Sequence, residues 1–92
     1  MRIRWTRPAL ADLVDQGEYI DGFSRDAARR VAGRIRTAVR RLADHPESGR
    51  PGRVAGTREL VVSGTPYVVP YRVHDDGVEI LAVFHGSRKP PS

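Results

Sequence analysis

Ninety-two residues, 39% hydrophobic and 29% charged, leave room for one core, so the expected organisation is a single domain over residues 1–92 rather than two domains or a disordered chain. No apolar run approaches the roughly 20 residues that cross a bilayer. The opening MRIRWTRPAL lacks the apolar stretch of a secretion signal. Cysteine is absent, which excludes disulfides and thiolate metal sites. Together these features place the expected location in the cytosol, away from membranes. The formal net charge is +5, from 16 basic and 11 acidic side chains, and Lys89 is the only lysine. Arginine forks pair bidentately with phosphates and carboxylates, so the partners implied are nucleic acid or an acidic protein. GC-rich codon usage is an equal explanation for the choice of arginine over lysine.

Residues 2–5, RIRW, alternate polar and apolar and predict a short first strand. Thr6 is a helix N-cap, and Pro8 falls in the first turn, where its missing N–H costs nothing. Leu10, Leu13, Val14, Gly17 and Ile20 follow at helical spacing, among Asp12, Asp15, Glu18 and Asp21. The first helix is therefore predicted to be amphipathic and acidic. DGF at 21–23 breaks it, and Ser24 caps a second helix with Asp26 against the dipole. Ala28, Val31, Ile35, Ala38, Val39 and Leu42 form one apolar stripe, spanning about 100° of arc at helical periodicity. The remaining surface carries Arg29, Arg30, Arg34, Arg36, Arg40 and Arg41. These either pair with the acids of the first helix or form a cationic face. Asp44-His45-Pro46 ends the helix, with His45 capping the last carbonyls. The pair is an αα-hairpin.

The link GRPGRVAGTREL, residues 49–60, strings Arg50, Arg53 and Arg58 among three glycines and should run along the rim of a sheet. From there the period changes to two. RELVV (58–62), PYVVPYRV (66–73) and VEILAVFH (78–85) predict a three-stranded antiparallel meander joined at Ser63-Gly64-Thr65 and Asp75-Asp76-Gly77. Alternation puts Leu60, Val62, Tyr67, Val69, Tyr71, Val73, Val78, Ile80, Ala82 and Phe84 against the helices. Val61, Val68, Arg72, Leu81, Val83 and His85 fall on the other face. Pro70 cannot donate to a ladder, so an irregularity is expected there. The first strand is expected to join an edge of the meander antiparallel. The fold class is α+β: an N-terminal strand, an αα-hairpin and a three-stranded antiparallel meander.

WTRPALADL (5–13), HPESGRPGRVAGTREL (45–60), PYVVPYRV (66–73) and VEILAVFHGSRKP (78–90), in this order, resemble the RelE/ParE superfamily of toxins from bacterial type II toxin–antitoxin modules. The resemblance covers nearly the whole chain. It implies growth arrest and plasmid stabilisation, a small acidic antitoxin that wraps the toxin, and one of two targets. ParE-like members inhibit DNA gyrase; RelE-like members are ribosome-dependent mRNA interferases, metal-independent endoribonucleases. For the RelE-like activity it implies a cluster of sheet residues, onto which Arg72, His85 and Arg88 map. The tyrosine found near the C-terminus in that class has no counterpart in GSRKPPS, and the arginine near the end of the second strand is replaced by Val62. The cluster is thin for the acid–base work of cutting RNA, and gyrase inhibition is the favoured reading. Arg50, Arg53, Arg58, Arg72, His85, Arg88 and Lys89 are the residues expected to meet the target or the antitoxin. Arg72 has the competing role of pairing with Glu79 or Glu59, and His85 that of a structural strand-end residue. No cofactor is implied, and His45, His74 and His85 lack metal-ligand spacing. A non-toxic RNA-binding module fits less well, because Tyr67 and Tyr71 fall on the core side and leave no stacking platform.

Overall fold

The computed structural model describes residues 1–87. Strand β1 (Arg2–Trp5) leads into helices α1 (Arg7–Asp21) and α2 (Arg25–Arg41). Strands β2 (Arg50–Pro51), β3 (Arg58–Val61), β4 (Tyr67–His74), β5 (Gly77–Ile80) and β6 (Phe84–His85) follow. Both predicted caps form: the Thr6 hydroxyl accepts from the Ala9 amide, and that of Ser24 from the Ala27 amide. The amide of His45, rather than its side chain, donates to the Arg41 carbonyl beyond the end of α2.

The sheet runs β1-β5-β4-β3-β2, with β6 also on β4. The meander β3-β4-β5 is antiparallel, as alternation and the turn residues imply. The N-terminal strand differs from expectation: β1 pairs with β5 in parallel, from Arg2 opposite Gly77 to Trp5 opposite Ile80. The cause is β2, a strand the sequence reading placed in the connecting link. It runs antiparallel to β3 and adds one reversal before the meander begins. A Cβ at Gly77 would stand 2.6 Å from the Arg2 carbonyl, so glycine there admits β1 to the edge of the sheet.

The helical hairpin packs on one face of this sheet. Ala9, Ile35, Val39 and Leu42 meet Val62, Tyr67, Val69, Tyr71, Val78, Ile80 and Val83 in one buried cluster. The α2 stripe is buried as predicted. The α1 stripe is buried only in part: Leu13 and Ile20 pack against the core as predicted, whereas Leu10 and Val14 are about half exposed and Ala9, outside the stripe, is fully buried. Tyr71 ties the helix-to-sheet link from below, donating to the Pro46 carbonyl at 2.7 Å and accepting from the Gly49 amide at 2.8 Å.

Candidate partner-binding groove

Pro70 sets the geometry of the site. The Leu81 amide donates to the Pro70 carbonyl at 2.9 Å, but proline has no N–H with which to return a bond. The ladder fails there. β5 pairs as far as Ile80 opposite Tyr71, and pairing resumes with Phe84 opposite Val68. Three residues, 81–83, thus face two on β4, a bulge of one residue. Freed from the ladder, the Val83 amide donates to the Asp12 carboxylate of α1 at 2.9 Å, and the Thr6 hydroxyl takes the Ile80 carbonyl at 2.7 Å.

The extra residue reverses alternation beyond it. Val83, expected on the outer face, is 2% exposed and joins the core. Phe84, expected inside, lies beneath the Arg53 guanidinium at 5.2 Å on the outer face. His85 stands opposite Tyr67, with ring centroids 5.6 Å apart edge to face, and so leaves the sheet face of Arg72 on which alternation put it. Both residues nevertheless line one open groove of about 590 Å³, between α1, the 53–57 loop and the 81–85 segment.

The walls of this groove are mostly apolar: Pro8, Val54, Pro70, Leu81, Ala82, Val83 and Phe84. Its two carboxylates are already engaged. Asp12 holds the Val83 amide. Glu59, 5% exposed, accepts from Arg50 Nη2 at 3.2 Å and from the Arg53 amide at 3.2 Å, with Arg53 Nε at 3.6 Å. Arg50 and Arg53 are therefore fixed along the rim by a buried acid. Gly56, at φ +80°, makes the turn that closes this loop. Arg58 has a different place: it faces inward and donates to the Gly49 and Glu47 carbonyls at 2.8 and 3.3 Å, bracing the link.

Arg72 pairs with neither acid considered for it. Glu79 stands opposite on β5, but its oxygens go to Arg4 and His74, each at 2.9 Å. The His74 hydrogen bond, with the charges of Arg4, His74 and Arg72 and against some desolvation, holds the Glu79 carboxyl below its ordinary value. Arg72 makes no ion pair among the described residues and lines the groove. His85 Nδ1 accepts from the Ser87 amide at 3.3 Å and lies 2.8 Å from its hydroxyl, so the neutral ring carries its proton on Nε2. Arg88 and Lys89 lie outside the described residues. Among those described, no cluster of His, Cys, Asp and Glu could hold a metal, and no helix is long and apolar enough to cross a membrane.

The sequence model of the family described as "ParE toxin of type II toxin-antitoxin system, parDE" matches residues 3–90. The chain belongs to the ParE toxin family. Two relatives are likewise named as toxins. A Sinorhizobium fredii (strain NGR234) protein named "Putative toxin Y4kP" is 53% identical over 90 residues, covering 98% of this chain and 93% of that one. "Toxin RelE2" of Caulobacter vibrioides is 46% identical over 87 residues, covering 95% and 97%. A solved structure described as "Chromosomal ParDE TA system from P. aeruginosa" superposes with a TM-score of 0.82 at 30% identity, over 92% of this chain and 95% of that one. This ParE-family toxin is thus the toxin component of a type II toxin–antitoxin system, and a cognate antitoxin is its partner.

Proposed function

We propose that this toxin arrests growth by inhibiting DNA gyrase, and that its groove holds a protein segment rather than a nucleotide undergoing cleavage. The observation that carries this is the state of the groove's charged groups. Its carboxylates are engaged by Val83, Arg50 and Arg53, its walls are apolar, and Arg72 is left to receive an acid. An apolar trough whose half-buried arginine, Arg72, makes no ion pair among the described residues suits a peptide bearing a carboxylate. RNA cleavage needs a base, an acid and several phosphate clamps together. The antitoxin, in this account, is acidic, wraps the toxin, covers Leu10 and Val14 on α1 and sets carboxylates near Arg50 and Arg53.

A test uses the purified chain in two assays. Gyrase-dependent supercoiling should stall or yield trapped cleaved DNA, while mRNA on programmed ribosomes stays whole. Arg72→Ala and Arg88→Ala should weaken the effect on gyrase, and His85→Ala should change it little. A second reading is favoured by one relative, the protein named "Toxin RelE2". In that reading the toxin cuts mRNA on the ribosome, with His85 as acid or base and Arg72 and Arg88 as phosphate clamps. Codon-dependent cutting that His85→Ala abolishes, with gyrase unaffected, would establish it.

A further inference from the structure

Helix α2 carries seven arginines in seventeen residues, RDAARRVAGRIRTAVRR, against one acid, Asp26. All seven are exposed. The expected pairing with the acids of α1 is confined to Arg25 and Asp21, 3.6 Å apart. Among the described residues, Arg34 reaches only the Ser63 carbonyl, at 3.4 Å, and Arg40 the Thr37 hydroxyl, at 3.3 Å. Arg29, Arg30, Arg36 and Arg41 make no ion pair among the described residues.

These side chains are ordered by the helical period. At about 100° per residue, Arg25, Arg29, Arg36 and Arg40 fall in one row and Arg30, Arg34 and Arg41 in another, with the row centres about 130° apart. Gly33 and Thr37 lie between the rows. The first row leans toward the furrow shared with α1, the second toward the furrow beside Leu60 and Val61 of β3. The helix is about 25 Å long at 1.5 Å per residue, so the charge is spread along a rod rather than gathered at a point.

We infer that the outer face of α2 is a docking surface for the phosphate backbone of duplex nucleic acid, held without reading sequence. One observation favours a polyphosphate over an acidic protein. The exposed large apolar side chains, such as Leu10, Val14, Phe23 and Val61, all lie outside α2. Protein interfaces depend on buried aromatic or aliphatic anchors, and α2 itself presents none between its two rows of arginine; Val14 and Val61 lie across the flanking furrows. Phosphate contacts need only cations that displace condensed counterions. A single strand is disfavoured for the same reason as a protein: it binds by stacking bases on aromatic rings, and α2 contains no aromatic residue. This surface lies apart from the groove and does not depend on the gyrase reading.

The test uses the full chain alone and a random-sequence DNA duplex of about 30 base pairs, with affinity followed from about 50 to about 200 mM salt. The logarithm of affinity should fall linearly with that of salt. The triple variant Arg29→Gln, Arg30→Gln, Arg36→Gln should weaken binding at least tenfold at the low end. It should also flatten the slope by about 2–3, at about 0.9 per lost contact. The double variant Arg2→Gln, Arg7→Gln, on β1 and α1, should flatten it by less than one. Circular dichroism and melting of each variant confirm that its helices persist. Duplex RNA as competitor distinguishes the source: equal displacement assigns the face to both backbones, and weak displacement assigns it to DNA. No salt-dependent binding, an unchanged slope in the triple variant, or displacement by poly-L-glutamate at equal charge would each overturn the inference.

Discussion

On α2, Ile35, Val39 and Leu42 at its end are at most 1% exposed, and the solvent face is arginine. On α1, packed beside it, only Ala9 is fully buried, while Leu10, Val14 and Tyr19 are 48%, 56% and 56% exposed among acidic side chains. The two helices share a hairpin and a core, yet their outer surfaces invite different chemistry. Half-exposed aliphatic groups on α1 are stabilised when a protein covers them, at roughly 25 cal/mol per Å² of apolar area. The arginines of α2 gain most from a polyanion that releases counterions.

The largest effect expected from breaking this contrast is on stability. Ile35→Ala should cost about 2–5 kcal/mol, because a fully buried isoleucine leaves a cavity. Val14→Ala on the neighbouring helix should stay within about 0.5 kcal/mol. Chemical denaturation of the two variants measures the difference, and equal losses would mean that α1 is as much a core helix as α2. Next in size is the antitoxin. The double variant Leu10→Asp, Val14→Asp should lower antitoxin affinity about 10–100-fold, or about 1.4–2.8 kcal/mol, without moving the unfolding midpoint appreciably. Titration calorimetry reads it, and unchanged affinity would remove α1 from the interface.

A smaller effect is expected at the rim of the groove. Glu59→Gln withdraws the charge that holds Arg50 and Arg53, and removing one partner of a buried pair can cost about 3–5 kcal/mol. Here the arginine side chains are 55% and 53% exposed and can return to water, so about 1 kcal/mol is expected. The loss should be local, seen as faster hydrogen exchange at the Arg53 amide. The smallest effect is a pH dependence at Glu79. Its carboxyl is held below the ordinary value in the folded chain, so the unfolded chain takes up its proton first as pH falls. The stabilisation is complete above the ordinary carboxylate range and fades as pH drops through and below about 4.3. Glu79→Gln should flatten that part of the stability curve, and an unaltered curve would contradict the His74 and Arg4 contacts.

Local chemistry made much of this fold legible from sequence. Thr6 and Ser24 cap their helices because their hydroxyls reach the amides of Ala9 and Ala27. The two-residue period marks the meander, and Pro70 marks its break. What stayed hidden depends on long-range geometry. Strand β2 is two residues, Arg50 and Pro51, too short to show a period, and without it the direction of β1 comes out reversed. Pro70 announces an irregularity but not whether a residue is inserted. That one residue decides that Val83 is core, that Phe84 lies under Arg53 and that His85 leaves the face of Arg72. The rim arginines were visible as charge, whereas the division of labour among them was not. Arg50 and Arg53 bind Glu59, Arg58 braces the link, and Arg72 remains without an ion pair in the groove.

We propose that this ParE-family toxin acts on gyrase rather than on messenger RNA, and induced expression with two simultaneous readouts separates the two targets. Reporter activity for the DNA-damage response and incorporation of labelled amino acid are followed from the moment of induction. With gyrase as the target, the damage response rises while translation is still near its starting rate, growth then stops, and co-expressed antitoxin prevents both. An immediate fall in translation with a flat damage response, abolished by His85→Ala, would contradict it.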